Sequence, residues 1–228
     1  MKRKLSAFSN TFLFTIGVSI LSFGLTGCEQ SEDVLTGNLC NQEDHVHAVD
    51  LGLSVKWACC NVGANSPEEY GGYYAWGETE EKDFYEWSTY KWMDYEEKEL
   101  TKYCETIDNK KSIDPEDDVA RVLWGEDWRM PTQSEIQELI DHCTWTWTSL
   151  NGVYGYKVSG NGNSIFLPAA GSRYEDKITN QGLRGCYMSA TLYEPDIEIE
   201  YCIGFNKKAY YHINDYRRNG HTVRPVRE

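Results

Sequence analysis

Thr132-Gln133-Ser134-Glu135-Ile136-Gln137-Glu138-Leu139-Ile140-Asp141-His142-Cys143 is where the chain changes character. Thr132 and Glu135 make a capping box, in which the hydroxyl accepts from the third helical amide and the carboxylate reaches back to the cap. Ile136, Leu139, Ile140 and Cys143 follow at helical spacing and turn one apolar stripe to a core. A first helix is marked upstream by Asp114 as its cap and Pro115 in its first turn. Glu116, Asp117 and Asp118 lie at its positive end, and Val119, Val122 and Leu123 supply its apolar side. Downstream the signals are those of strands. Asn151-Gly152 and Asn161-Gly162 are hairpin turns. Strands are expected over 155–159, 164–169, 185–191, 199–205, 208–213 and 221–226, with Pro225 marking an edge or an end. Two helices followed by many short strands predict an α+β fold of small twisted antiparallel sheets with long loops. Strand signals also occur over 46–53, 54–60 and 71–76, whereas 78–112 is charged, rich in Tyr and Trp and without a period. That segment is expected to be a partly ordered insertion over the core.

At the N-terminus, Lys2, Arg3 and Lys4 precede an uncharged run from Ala7 to Phe23 that ends in Leu25-Thr26-Gly27-Cys28. This order reads as a secretory signal over 1–27, and its last four residues resemble the bacterial lipobox. Cleavage before Cys28 and acylation of that cysteine are therefore expected, and the lipid makes the membrane the chain's first partner. Polar residues interrupt the apolar run, which is short for a membrane span. Residues 28–44 read as a flexible acidic tether and 45–228 as one domain. The start of the tether, Glu29-Gln30-Ser31-Glu32-Asp33, resembles the acidic export signals of some Bacteroidetes lipoproteins. It implies an outer-membrane, lipid-anchored protein at the cell surface.

The whole chain carries a formal charge of −14. Loss of residues 1–27 removes three positive charges and no acid, which makes it about −17. Nucleic acid is excluded as a partner, because its phosphates need clustered Lys and Arg. With Cys28 taken by lipid, seven cysteines remain, an odd number. If the runs around Glu194-Pro195-Asp196 form a hairpin centred there, Cys186 and Cys202 lie at equal distances from its tip. They are then a disulfide candidate, the other reading being two buried thiols.

Several ordered stretches resemble one family. They include Val49-Asp50-Leu51-Gly52-Leu53-Ser54-Val55-Lys56-Trp57-Ala58, Tyr74-Ala75-Trp76-Gly77-Glu78 and Trp128-Arg129-Met130-Pro131-Thr132. Ile165-Phe166-Leu167-Pro168-Ala169-Ala170-Gly171 and Val223-Arg224-Pro225-Val226 complete the set. Together they are similar to the Fibrobacter succinogenes major paralogous domain of Bacteroidetes lipoproteins, over nearly all of 48–228. The resemblance implies a C-type-lectin-like fold, distantly related to formylglycine-generating enzymes. It also implies that the first and last strands pair, joining the region of Leu51 to Val223–Val226. Gly185-Cys186-Tyr187-Met188 departs from the family's Gly-x-Tyr-Trp.

No catalytic motif emerges: there is no Gly-x-Ser-x-Gly elbow, His-Glu-x-x-His or phosphate loop. No metal set and no cofactor is assigned, since His45 and His47 lack a third ligand at a suitable spacing. Glu194-Pro195-Asp196 reads as an acidic turn, because calcium needs more oxygens than it offers. Arg129 is expected to lock a loop through carbonyls or an acid. Trp145 and Trp147 share one face of an extended segment, the core face. The loops 65–72, 78–112 and 172–184 are the expected presentation surface. Phe84, Tyr85, Trp87, Tyr90, Trp92 and Tyr95 are the ligand-contact candidates, the other reading being that they cover the core. The expected function is non-catalytic binding of a protein partner, or adhesion. Glycan binding is the alternative, and a divergent formylglycine-generating-type enzyme is a further one.

Overall fold

The computed structural model describes residues 47–228. The signal over 1–27, Cys28, the tether over 28–44 and His45 lie outside the described residues. The elements run β1 (Ala48–Val49), β2 (Lys56–Ala58), β3 (Met93–Asp94), β4 (Glu99–Leu100), α1 (Val119–Trp124), α2 (Gln133–His142), β5 (Thr144–Leu150), β6 (Val153–Gly160) and β7 (Asn163–Pro168). They continue with β8 (Ser172–Tyr174), β9 (Lys177–Thr179), β10 (Arg184–Leu192), β11 (Ile199–Asn206), β12 (Ala209–Tyr216) and β13 (Val226–Arg227). The strands form three three-stranded sheets, β1-β2-β13, β5-β6-β7 and β10-β11-β12, and two two-stranded ribbons, β3-β4 and β8-β9. Small antiparallel sheets with two helices make the fold α+β, as the sequence predicts.

The second half follows its turn signals. Asn151 and Asn161 have φ of 49°, and Gly152 and Gly162 have φ of 83° and 75°. Positive φ at both central residues is what a type I′ hairpin turn requires. β5 was not among the expected strands. Its Trp145 and Trp147 do face the core: the Trp145 ring stacks on Tyr210 at 4.5 Å and meets Tyr156 edge-on at 5.5 Å. Val226 pairs with Trp57 and Val49 with Trp57 on its other side, so β2 is the central strand that joins the beginning of the domain to its end.

Helix α2 carries the expected capping box, with Thr132 Oγ1 accepting from the Glu135 amide and Glu135 accepting from the Thr132 amide at 2.8 Å. Ile136 and Leu139 are buried against β10, β11 and β12, each stabilising by about 1.5–3 kcal/mol. Arg129 locks the entry to α2 through a bidentate pair with Glu135, at 2.8 and 2.6 Å. The first helix differs from expectation. Asp114 makes no side-chain cap and leads only a 3-10 turn over Pro115–Asp117. Asp118 caps α1 instead, accepting from Ala120 and Arg121, and it also holds the Met130 amide at 2.8 Å. The six-residue helix buries Val119 and Ala120 and leaves Val122 and Leu123 exposed, because Met130 draws its N-terminal end onto the core.

The segment 78–112 is an ordered cap. Tyr85, Tyr90 and Tyr103 are buried within it. Its clamp is Arg217, wholly buried just after β12, whose Nε donates to Tyr90 Oη at 2.6 Å. The same guanidinium donates to the carbonyls of Ile197, Lys102 and Tyr103 at 3.1, 3.2 and 3.3 Å. It lies over the Trp76 ring at 4.8 Å as well. A charged stretch of sequence thus conceals a packed aromatic layer clamped by Arg217, with Lys82, Lys91 and Lys102 lying over its rings as well.

Candidate functional site

Two places draw functional attention. The first is the loop face. Tyr85 and Glu175 exchange backbone hydrogen bonds at 3.0 and 3.2 Å, joining the loop of 78–91 to the β8-β9 ribbon. Arg173 packs over the Tyr85 ring at 5.2 Å. Phe84, Ile178 and Leu183 are the exposed apolar side chains of these loops, at 42, 45 and 66%. A polar groove of about 380 Å³ opens within the loop of 78–91, lined by Glu78, Glu80, Glu81, Lys82 and Lys91 among others.

The six aromatic candidates divide. Phe84 and Tyr95 are exposed. Trp87 is half-buried, edge-on to Tyr90 at 5.6 Å, and Trp92 is half-buried with its Nε1 donating to the Gly77 carbonyl at 2.9 Å. Tyr85 and Tyr90 are corrected from contact candidates to core: their hydroxyls donate to the Tyr73 and Trp76 carbonyls inside the fold. Burial pushes the Tyr85 hydroxyl up to about 12, so it stays a donor at any ordinary pH.

The second place lies in the β10-β11-β12 sheet. Strand parity explains it. Cys186 pairs with Gly204, Met188 with Cys202, Cys202 with Ile213 and Glu200 with Asp215, so Cys186, Glu200, Cys202 and Asp215 all share one face. His221 is held opposite by two backbone bonds to Tyr74, each 2.9 Å. The donor atoms of Cys186, Cys202 and His221 lie within 4.8 Å of one another, all buried, and among the described residues they form the one such triple. His221 Nε2 is 3.4 Å from Asp215 Oδ2 and 3.6 Å from Glu200 Oε1.

The disulfide candidate is corrected. Cys186 and Cys202 are both free thiols. The hairpin is centred one residue beyond Glu194, so each cysteine faces the residue two places from the other and the pair sits diagonally. Glu194, Pro195 and Asp196 form an exposed turn in which Asp196 Oδ1 accepts from the Glu198 amide at 3.0 Å.

The cluster is electrostatically strained. Burial alone raises the Cys186 thiol, yet hydrogen bonding from Cys202 and the charge of His221 pull it down to about 6. Burial and the neighbouring Cys186 push Cys202 well up. Burial likewise drives Glu200 well above the carboxylate range. His221 is held well above the usual imidazole value, since Cys186 and Asp215 overcome the burial that disfavours its charge. Asp215 is held well down by His221 and Tyr174 against its own burial. His221 is not legible in the sequence because it lies far along the chain from both cysteines, and Glu200, two residues before Cys202, reads as an ordinary strand acid until the sheet buries it.

Comparisons with protein-family models, with curated proteins and with solved structures each return no match. No helix among the described residues is long and apolar enough to cross a membrane.

Proposed function

We propose that this chain is a lipid-anchored cell-envelope protein, acylated at Cys28 and displayed at the outer membrane. Its globular part acts as a non-catalytic, C-type-lectin-like module of the Fibrobacter succinogenes major paralogous type, and it binds a protein partner or serves as an adhesin. The observation that carries the binding reading is the Tyr85–Glu175 backbone pair. It fastens together two loops distant in sequence, one carrying Phe84 and the other Ile178, with Leu183 just beyond, all three side chains in water. Loops fixed on a rigid scaffold are where recognition is usually built, and exposed apolar side chains together with a charged groove in the same loop system suit a mixed protein surface.

The test uses the full chain in its envelope. Cross-linked partners are compared between wild type and Phe84→Ser/Ile178→Ser/Leu183→Ser, with Cys28→Ala fractionated in parallel and a glycan array as the third arm. Loss of one discrete partner in the triple variant, release of Cys28→Ala from the membrane fraction and a silent array are expected. An unchanged partner set removes the assigned face, unchanged fractionation removes the anchor, and array binding replaces the protein partner with a glycan.

A further inference from the structure

Glu200 and His221 are wholly buried, yet neither oxygen of the first nor either nitrogen of the second has an aligned hydrogen-bond partner. A buried carboxylate and imidazole left in that condition are costly, by several kcal/mol. A Cys186–Cys202 disulfide does not relieve them, because it consumes two sulfurs and leaves the four polar atoms as they are. One cation among the four side chains gives the carboxylate and one imidazole nitrogen a partner at once. We propose that Cys186, Cys202, His221 and Glu200 form a closed structural site for a borderline-soft divalent cation of the zinc type.

The donor set selects the ion. Two thiolates and an imidazole favour zinc-like metals over calcium or magnesium, which require oxygen. In a tetrahedral zinc site two sulfurs stand roughly 3.8 Å apart, from Zn–S bonds of about 2.3 Å. The three donors here lie within 4.8 Å of one another, so a contraction of about 1 Å or less closes them on an ion. Glu200 lies outside that triple, with Oε1 3.6 Å from His221 Nε2, and becomes the fourth ligand by turning its carboxylate onto the ion. Asp215 is already engaged. It accepts from Tyr174 Oη, the Asn219 side-chain amide and the Tyr216 amide, each at 2.8 Å, and it is 3.4 Å from His221. Asp215 faces Nε2, so the ion takes Nδ1, which has no partner of its own, and Asp215 is the outer group that orients the ring through Nε2. Loading is a ligand exchange: waters leave the ion as the sulfur, nitrogen and oxygen bonds to it form, the protons still held by the thiols, the imidazole and the carboxyl pass to solvent, and no electron is transferred. With no open position the ion does no chemistry on a substrate. It ties β10 and β11 to the segment around His221 and so contributes to folding stability.

The test uses the full chain in detergent, reduced and stripped with chelator, then titrated with Zn²⁺ and separately with Co²⁺. One equivalent of each is expected to bind, Co²⁺ giving thiolate charge-transfer and intense tetrahedral absorption, and Zn²⁺ raising the unfolding temperature. Cys186→Ser/Cys202→Ser loses the charge-transfer band, Glu200→Gln weakens binding, and Asp215→Asn weakens it about 10- to 100-fold. Cys143→Ser, outside the cluster, leaves stoichiometry unchanged. The wild-type titration decides the matter even where a variant fails to fold. No binding by the reduced wild type, octahedral cobalt without a sulfur band, or binding retained in the double cysteine variant overturns the site. None of these outcomes depends on the loop-face partner or the lipid anchor.

Discussion

Arg217 Nε donates to Tyr90 Oη at 2.6 Å across 127 residues of chain, and neither side chain reaches solvent. The guanidinium is the only feature that touches Trp76, Tyr90, Tyr103 and the Ile197 carbonyl together among the interactions described. Arg217→Met keeps the volume and removes the donors, leaving the Lys102 and Ile197 carbonyls unpaired. A loss of about 3 kcal/mol or more in urea unfolding is expected, with faster amide exchange over 90–105. A variant as stable as wild type with unchanged exchange in that segment contradicts the clamp.

Asp117 is the acid-sensitive fastening of the same segment. Burial alone raises its carboxyl, but hydrogen bonds from Lys102, Tyr103 and Lys91, at 2.7, 2.7 and 3.0 Å, outweigh that and hold it below 3.8. A carboxyl depressed in the folded state stabilises above its unfolded value, and the contribution disappears as pH falls through the folded value. Asp117→Asn should therefore be less stable by about 2 kcal/mol at neutral pH. The gap to wild type should narrow below about pH 4. Urea midpoints of both proteins at neutral, mildly acid and strongly acid pH measure it, and a gap that stays constant with pH refutes the assignment.

Gly185 lies directly under the Phe205 ring, where an added Cβ meets Phe205 carbons at 2.1 and 2.5 Å. The two residues are register partners on β10 and β11. Gly185→Ala should cost about 1–3 kcal/mol by overpacking, and Phe205→Leu in the same chain should recover part of the loss. Thermal melts of the two single variants and the double variant test the coupling; strict additivity rules it out.

Thr132→Ala removes the hydroxyl half of the α2 capping box and should cost about 1 kcal/mol. Thr132→Ser should restore most of it. Chemical denaturation of both distinguishes the cap from a packing role of the Thr132 methyl, which Ser would not restore.

Local chemistry was readable without coordinates. Thr132 and Glu135 announce a helix because the capping bonds close within four residues, and Asn151-Gly152 and Asn161-Gly162 announce hairpins because only certain residues tolerate their dihedral angles. Arg129 was identifiable as a lock for the same reason, its acid lying only six residues away. The failures have the opposite origin. Asp118 displaces Asp114 as the helix cap because Met130, twelve residues on, also needs its carboxylate. Tyr85 and Tyr90 look like contact aromatics in an unpatterned acidic segment until Arg217 draws that segment inward.

The sequence by itself determined the start of α2, the two Asn-Gly hairpin turns, the α+β class and the acidic character of the chain, since each depends on neighbours or on composition. Only the tertiary structure decided which side chains meet: strand parity puts Cys186, Glu200, Cys202 and Asp215 on one face, and the Tyr74 backbone sets His221 against them. Spacing along the chain carries no record of such a meeting, because a one-residue change of register turns every one of those side chains to the opposite face of the sheet.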